Sequence, residues 1–357
     1  MKTRHSRKTQ KWRQRGGNRE LFEAVKRGEV ERVTLLLATP GIDVNQADEY
    51  NSTPLLYAVY YGHLGVVEAL LAAQGIDVNK ATTVDGQTPL YAAALYNNIE
   101  VVEALLAAKG IDVNQVDNDG KTPLLYAAAN GKNEVVEALL AAQGIDVNQV
   151  DKDGKTPLLY AAANGKNEVV ETLLAAQGID VNQATTVDGQ TPLYAAAYYN
   201  HLNVVEALLA APGIDVNKAT TVDGHTPLYA AAYYGDPNVV EALLAAPGID
   251  VNKADKFRQT PFYIAAVNDN IEVVEAVLKY FKQNETISLD TTIKDITRVL
   301  KNEFLPDEIR TLLERKKDKL EQEQTIRTVY LLGNSVLPAR LLGEIMGYMP
   351  KKQGGKK

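Results

Sequence analysis

The chain has 357 residues, 45% of them hydrophobic and 23% charged, and no cysteine, so disulfides, cysteine-ligated zinc, iron–sulfur clusters and thiol catalysis are excluded. The formal charge of −7 is unevenly placed: residues 1–19 hold eight Lys or Arg and no acid, and 351–357 hold four Lys, which leaves −19 for residues 20–350. An acidic body repels nucleic acid, which confines any such contact to the basic ends.

No run of about 18 apolar residues occurs, so no membrane-spanning helix is expected. The basic N-terminus lacks the apolar stretch of a secretory signal, and a cytoplasmic monomer is the expectation. Residues 1–17, with the only tryptophan, Trp12, fit a disordered solubilising tail. A nuclear-import or nucleic-acid contact is the alternative reading of that basic run.

From residue 18 onward the chain is periodic. Residues 18–52 contain a helix pair and GIDVN but lack an opening Thr-Pro, as an N-terminal cap would. Thr-Pro then opens units at Thr53, Thr88, Thr122, Thr156, Thr191, Thr226 and Thr260, 34 or 35 residues apart. The units run 53–87, 88–121, 122–155, 156–190, 191–225, 226–259 and 260–290, and the last one loses GIDVN. Residues 122–149 and 156–183 differ only at Ala138 and Thr172.

Within a unit, Thr suits the N-cap and Pro the first helical position, so Thr-Pro opens a short helix. Asn130-Gly131 ends it with residues that tolerate a left-handed conformation. A second helix over Asn133 to Ala142 carries Val135, Val136, Leu139 and Leu140 on one broad face, and Gly144 stops it. GIDVNQVDNDGK then reads as an extended hairpin-like loop leading to the next Thr-Pro. One unit is too small to hold a core, so neighbours must stack into a solenoid with capped ends.

These motifs resemble those of ankyrin-repeat proteins: the opening T-P-L, a second helix near VVEALL, then GIDVN and a hairpin containing Asp-Gly. The likeness covers about three quarters of the chain. It implies an all-α repeat fold, an ankyrin solenoid of about eight helix-turn-helix units with hairpin loops, followed by a helical C-terminal extension over 291–350. It also implies a non-catalytic scaffold that binds a partner protein on its concave surface. The family histidine after T-P-L is absent from every unit, replaced by Leu or Tyr, and three units carry a longer TTVDG hairpin at 82–86, 185–189 and 220–224.

Two sets of aromatics separate. Units entered through TTVDG begin TPLYA (Tyr91, Tyr194, Tyr229), whereas those entered through a short hairpin begin TPLLY (Tyr57, Tyr126, Tyr160). One ring per unit at two adjacent positions points to packing at the hairpin base. The pair after the alanines is different: Tyr60-Tyr61, Leu95-Tyr96, Ala129-Asn130, Ala163-Asn164, Tyr198-Tyr199, Tyr233-Tyr234 and Val267-Asn268. A core position would not accept both Asn and Tyr. Tyrosine offers contact area with few rotatable bonds, so Tyr60, Tyr61, Leu95, Tyr96, Tyr198, Tyr199, Tyr233 and Tyr234 form the expected partner-binding surface. The alternative is that the rings only stack along the solenoid and shield its alanines, which would leave a passive spacer.

No catalytic, cofactor or metal site is expected. Asp119-Gly120-Lys121-Thr122 ends like a phosphate-binding loop, but Gln115 stands where the first glycine is required. A calcium loop there would need its first ligand at Gln115 and a bidentate Glu at Tyr126. The four histidines show no metal-ligand spacing.

Beyond 290, residues 291–304 and 306–334 read as helices, the second opened by Pro306. Leu337, Pro338, Leu341, Leu342, Ile345 and Tyr348 then resemble the opening helix of an F-box. Ankyrin arrays that end in such a truncated, PRANC-like segment occur in poxvirus host-range proteins and in effectors of intracellular bacteria. The resemblance implies docking to the Skp adaptor of a cullin ubiquitin ligase, in the cytoplasm or nucleus of a host. An amphipathic helix that caps the last repeat would show the same spacing.

Overall fold

The computed structural model describes residues 18–283 and 289–336, with side chains described over 18–283 and 292–324. These residues form 18 helices and no strand. Helix α1 covers 18–26 and α2 Val30–Leu37. Seven Thr-Pro units follow, whose first helices are α3 (Pro54–Tyr60), α5 (Pro89–Leu95), α7 (Pro123–Asn130), α9 (Pro157–Ala163), α11 (Pro192–Tyr198), α13 (Pro227–Tyr234) and α15 (Pro261–Val267). Their second helices are α4 (Leu64–Leu71), α6 (Ile99–Leu106), α8 (Asn133–Leu140), α10 (Asn167–Leu174), α12 (Leu202–Leu209), α14 (Pro237–Leu244) and α16 (Ile271–Gln283).

Each Thr-Pro acts as its chemistry dictates. The threonine hydroxyl accepts the N–H three residues on, as in Thr156 Oγ1 from Leu159 N at 3.1 Å, and proline fills the first helical position. The first helices close through a left-handed residue: Gly131 at φ 71°, or asparagine in its place, as at Asn97 (φ 55°) and Asn200 (φ 59°). The second helices stop at Leu140 and its equivalents, four residues before Gly144, which turns the following loop at φ 82°.

Each first helix packs on the first helices of its neighbours, and second helices pair in a parallel row. Leu55, Leu90, Leu124, Leu158, Leu193, Leu228 and Phe262 are fully buried at equivalent positions along one continuous core. Each such side chain contributes about 1.5–3 kcal/mol.

The asparagine of GIDVN ties the second row together. Asn148 Nδ2 donates to Gly178 O at 2.7 Å, and its Oδ1 accepts Asp180 N at 2.9 Å. The same two bonds recur from Asn45, Asn79, Asn114, Asn182 and Asn217 to the next unit. At Asn252 the ladder ends, and its buried Oδ1 has no hydrogen-bond partner.

The expected hairpins form without strand pairing. Adjacent loop tips share one backbone hydrogen bond per junction, such as Asn118 N to Asp85 O at 2.9 Å and Thr221 N to Asp188 O at 2.8 Å. Side-chain turns hold each loop, the Asp or Thr at its base accepting loop N–H groups.

After α16 come α17 (Leu289–Leu300) and α18 (Asp307–Val336). Helix α17 packs on α15 and α18, and Ile296, Val299, Leu305, Ile309 and Leu313 continue the core past the last repeat. Arg310 donates to Leu300 O (3.2 Å) and Asn302 O (2.7 Å), which satisfies carbonyls at the end of α17. The apolar end that a missing ninth unit would cover is thus closed by a helix pair.

Replacing Asn148 by Ala removes two inter-unit bonds and should cost about 1–3 kcal/mol in chemical denaturation. Asn252→Ala, at the end of the ladder, should cost clearly less when the two midpoints are compared.

Candidate functional site

In the units that begin TPLYA or TPLLY, the hairpin base decides where the first tyrosine goes. In short hairpins an aspartate sits at the base, and its Oδ1 accepts two loop N–H groups: Asp151 takes Asp153 N (3.0 Å) and Lys155 N (2.9 Å). Its Oδ2 then accepts the hydroxyl of the unit's own tyrosine, Tyr160 at 2.7 Å, and Asp48 takes Tyr57 at 2.8 Å. In TTVDG hairpins the base residue is threonine, whose hydroxyl accepts a loop N–H, as Thr185 Oγ1 does from Gln190 N at 2.9 Å. That hydroxyl offers no second carboxylate oxygen for a phenol. The ring moves one position earlier, and Tyr91, Tyr194 and Tyr229 are buried. Tyr91 and Tyr229 meet the aspartates of the following unit, Asp117 and Asp255. In the six units opened at Thr53 to Thr226 the swap between TPLYA and TPLLY therefore follows the Thr or Asp at the hairpin base; the last unit departs from it, with Asp255 at its base and Tyr263 in the earlier position.

The second set lies at the C-terminal ends of the first helices. Tyr60, Tyr61, Tyr96, Tyr199, Tyr233 and Tyr234 are exposed, from 44% at Tyr234 to 55% at Tyr60, while Leu95 and Tyr198 are half-buried. The rings are brought together in two clusters. Tyr60 meets Tyr61 (5.5 Å between centroids) and Tyr96 (5.0 Å) edge-on, and Tyr61 lies parallel to His63 at 5.9 Å. Tyr198 meets Tyr199 (4.8 Å) and Tyr234 (4.6 Å) edge-on, and Tyr199 lies parallel to His201 at 6.3 Å. Edge-to-face rings at these distances are favourable beyond the area they bury. Between the clusters, Asn130 and Asn164 spend their amides on the backbone, donating to Tyr126 O and Ala129 O.

Each cluster is anchored from below by its histidine. His63 Nε2 lies 3.3 Å from Lys26 O, and His201 Nε2 lies 3.1 Å from Ala163 O, both in the preceding unit. The imidazole fits only because the residue facing it is glycine. A Cβ on Gly165, at φ +64°, would stand 2.7 Å from His201 Nδ1.

Two features of this surface are not apparent from single units. Residues 60–97 and 198–235, four units apart, differ at only six of 38 positions, so the clusters are copies of one design. Comparing units at longer offsets would reveal this. The hairpin tips also expose apolar side chains, with Val84 61%, Val187 67% and Phe257 69% exposed. The valines of TTVDG were the available signal, since a loop tip has no core for them to enter.

The six residues of the F-box-like pattern, 337–348, lie outside the described residues. Among the described residues no helix is long and apolar enough to cross a membrane, and no group of three His, Asp or Glu is placed to hold a metal.

Burial raises the phenol of Tyr57 to about 12, and the hydrogen bond to Asp48 adds to this. Burial also raises Tyr194 to about 12, followed by its neighbour Tyr198. Burial, then the Tyr198 hydroxyl, raises Tyr234 further, and Tyr96 shifts the same way with Tyr60 as its partner.

The family model described as "Ankyrin repeats (3 copies)" matches residues 8–82, 79–151, 143–220 and 214–287. Among solved structures, the crystal structure of the ankyrin repeat domain of Bcl-3, titled a unique member of the IkappaB protein family, is 28% identical with a TM-score of 0.57. The likeness covers 63% of this chain and 97% of that one. No curated protein matches the sequence.

The raised phenols give a pH dependence. An unfolded tyrosine ionises near pH 10, whereas Tyr57 and Tyr194 stay neutral until about 12, so the unfolded state loses protons first and stability falls between those values. Urea midpoints measured from pH 9 to 12 should decline. Tyr57→Phe should flatten that slope while lowering stability at neutral pH by about 1 kcal/mol, the worth of one hydrogen bond.

Proposed function

The chain belongs to the ankyrin-repeat family, and we propose that it is a non-catalytic recognition module that binds a partner protein along the row of first-helix ends and hairpin tips. The observation that carries this reading is the exposure of six tyrosines at the pair of positions where the units 122–155 and 156–190 carry Ala-Asn, four of them at the asparagine position itself. Rings recruited only to shield alanines would be buried, as Tyr91, Tyr194 and Tyr229 are. Tyrosine half in water desolvates readily against a partner and loses little conformational freedom on doing so.

Replacing Tyr198, Tyr199, Tyr233 and Tyr234 together by Ala should weaken partner binding at least tenfold. The same variant should unfold within a few degrees of the parent, because Tyr199, Tyr233 and Tyr234 are exposed and only Tyr198 is half-buried. Affinity capture from the native cell, run beside a thermal melt, checks both. A large drop in melting temperature with capture intact would mean that the rings serve packing.

A finer reading makes the array the substrate-recognition arm of a ubiquitin-ligase adaptor. Its support is the run Leu337-Pro338, Leu341, Leu342, Ile345, Tyr348. A pull-down on purified Skp adaptor should retain the full chain and lose a chain ending at Gly333; equal recovery removes the idea.

A further inference from the structure

The last hairpin leaves a carboxylate oxygen unmatched. Asp255 is buried at its base, and its Oδ1 accepts Phe257 N at 2.9 Å and Gln259 N at 2.7 Å, as in the other short hairpins. In the units opened by Thr53 and Thr156 the second oxygen takes the unit's own phenol, but the corresponding position here is Ile264. Asp255 Oδ2 is thus buried with no hydrogen-bond partner. A buried carboxylate in that condition is costly, and a paired cation offsets the cost.

The group facing it is His225, which closes the preceding hairpin and places Nε2 3.6 Å from Asp255 Oδ2. That gap is longer than a hydrogen bond and short enough for an ion pair. The imidazole also lies parallel to Tyr229, 4.1 Å between centroids and 10° between planes. An imidazolium there meets a carboxylate at its edge and a π face beneath it, and both favour positive charge. The other TTVDG units carry Gln87 and Gln190 at this position, so a histidine is not required to close the hairpin. The aspartate that follows Gln87 in the next unit, Asp117, is half-buried where Asp255 is buried. His63 and His201 lie against backbone carbonyls instead.

The surrounding ionisable groups leave this pair to itself. Lys256 directs its amine to Thr221 O at 2.6 Å, and Arg258 is exposed. Burial, then Asp255, holds the Tyr229 phenol well above its ordinary range, so it stays neutral, and its hydroxyl donates to Gln259 Oε1 at 3.1 Å. Tyr194 and Tyr233 are its neighbours. Asp188 and Asp223, in the preceding hairpin and in that of His225, add only negative charge.

We propose that His225 and Asp255 form a proton-gated clasp between the last two Thr-Pro units, closed when the imidazole carries a proton and slack when it does not. The clasp holds the unit on which α17 packs, so it sets how firmly the C-terminal helix pair stays joined to the array. Its contribution is present below about pH 6.5 and is lost as pH rises through that range; below about pH 4, where carboxylates take up protons, it is lost again.

Hydrogen exchange of the full chain, corrected for the intrinsic rate at each pH, tests this. Amide protection over 255–283, relative to 122–149, should rise by about fivefold or more from pH 7.5 to pH 5.5. His225→Gln, which installs the residue found at positions 87 and 190, should keep the protection seen at pH 7.5 and lose the rise. Asp255→Asn, whose remaining oxygen still serves the loop, should lose the rise too. In that variant the imidazole resonances of His225 should titrate at lower pH than in the parent. An unchanged ratio in the parent, a rise that persists in His225→Gln, or an unmoved titration in Asp255→Asn overturns the proposal. The clasp needs no partner, so its failure leaves the recognition role untouched.

Discussion

No unit of this chain can bury its own apolar face, and that constraint shapes everything else. Two helices of seven or eight residues present Leu124, Val135, Val136 and Leu139 with nothing in the unit to cover them. Only the next copy, set alongside, removes that surface from water. Stability is therefore shared between neighbours, and the junction is the element most strictly repeated. The Asn–Gly–Asp bonds of the GIDVN loops recur at every junction from Asn45 to Asn217. They stop where the packing partner changes to α17 and α18.

Because the junction carries the folding energy, the ends of the first helices are released from it. There the sequence changes from Tyr-Tyr to Ala-Asn and back without disturbing the buried leucines beneath. The asparagines donate to backbone carbonyls, Asn130 in its own helix and Asn164 in the preceding unit, and the tyrosine rings pack on each other. The first ring of each unit is not free in this way, since it answers to the hairpin base. An aspartate supplies two oxygens, one for the loop and one for a phenol, whereas threonine supplies only what the loop uses. Rings that look alike in a sequence thus divide into a set bound to the scaffold and a set available to something else.

The repeat was legible from Thr-Pro spacing, from the caps and from the valine–leucine face of the second helix, because these are local consequences of backbone chemistry. The burial of Tyr91 beside the exposure of Tyr96 was legible in part, through which positions tolerate asparagine. The loops are hairpin-like turns without paired strands, because Asp-Gly tips signal a turn whether or not strands follow. The second helices end earlier than their glycines, because the glycine serves the loop that carries the asparagine rung. The exposed valines at the hairpin tips were missed. A valine between two polar neighbours is neutral as sequence, and acquires meaning only when its surroundings prove to be water.

By itself the sequence determined the architecture: unit length, helix starts and stops, the apolar stripes and the need to stack all follow from the side chains within one unit. Tertiary structure decided which side chains of different units meet. Tyr60 touches Tyr96, and Tyr198 touches Tyr234, only because stacked helices bring residues more than 30 positions apart to within a ring's width. Local propensity does not encode that distance. It arises from the helix-to-helix spacing that burial of the leucines imposes, and it turns scattered tyrosines into two platforms.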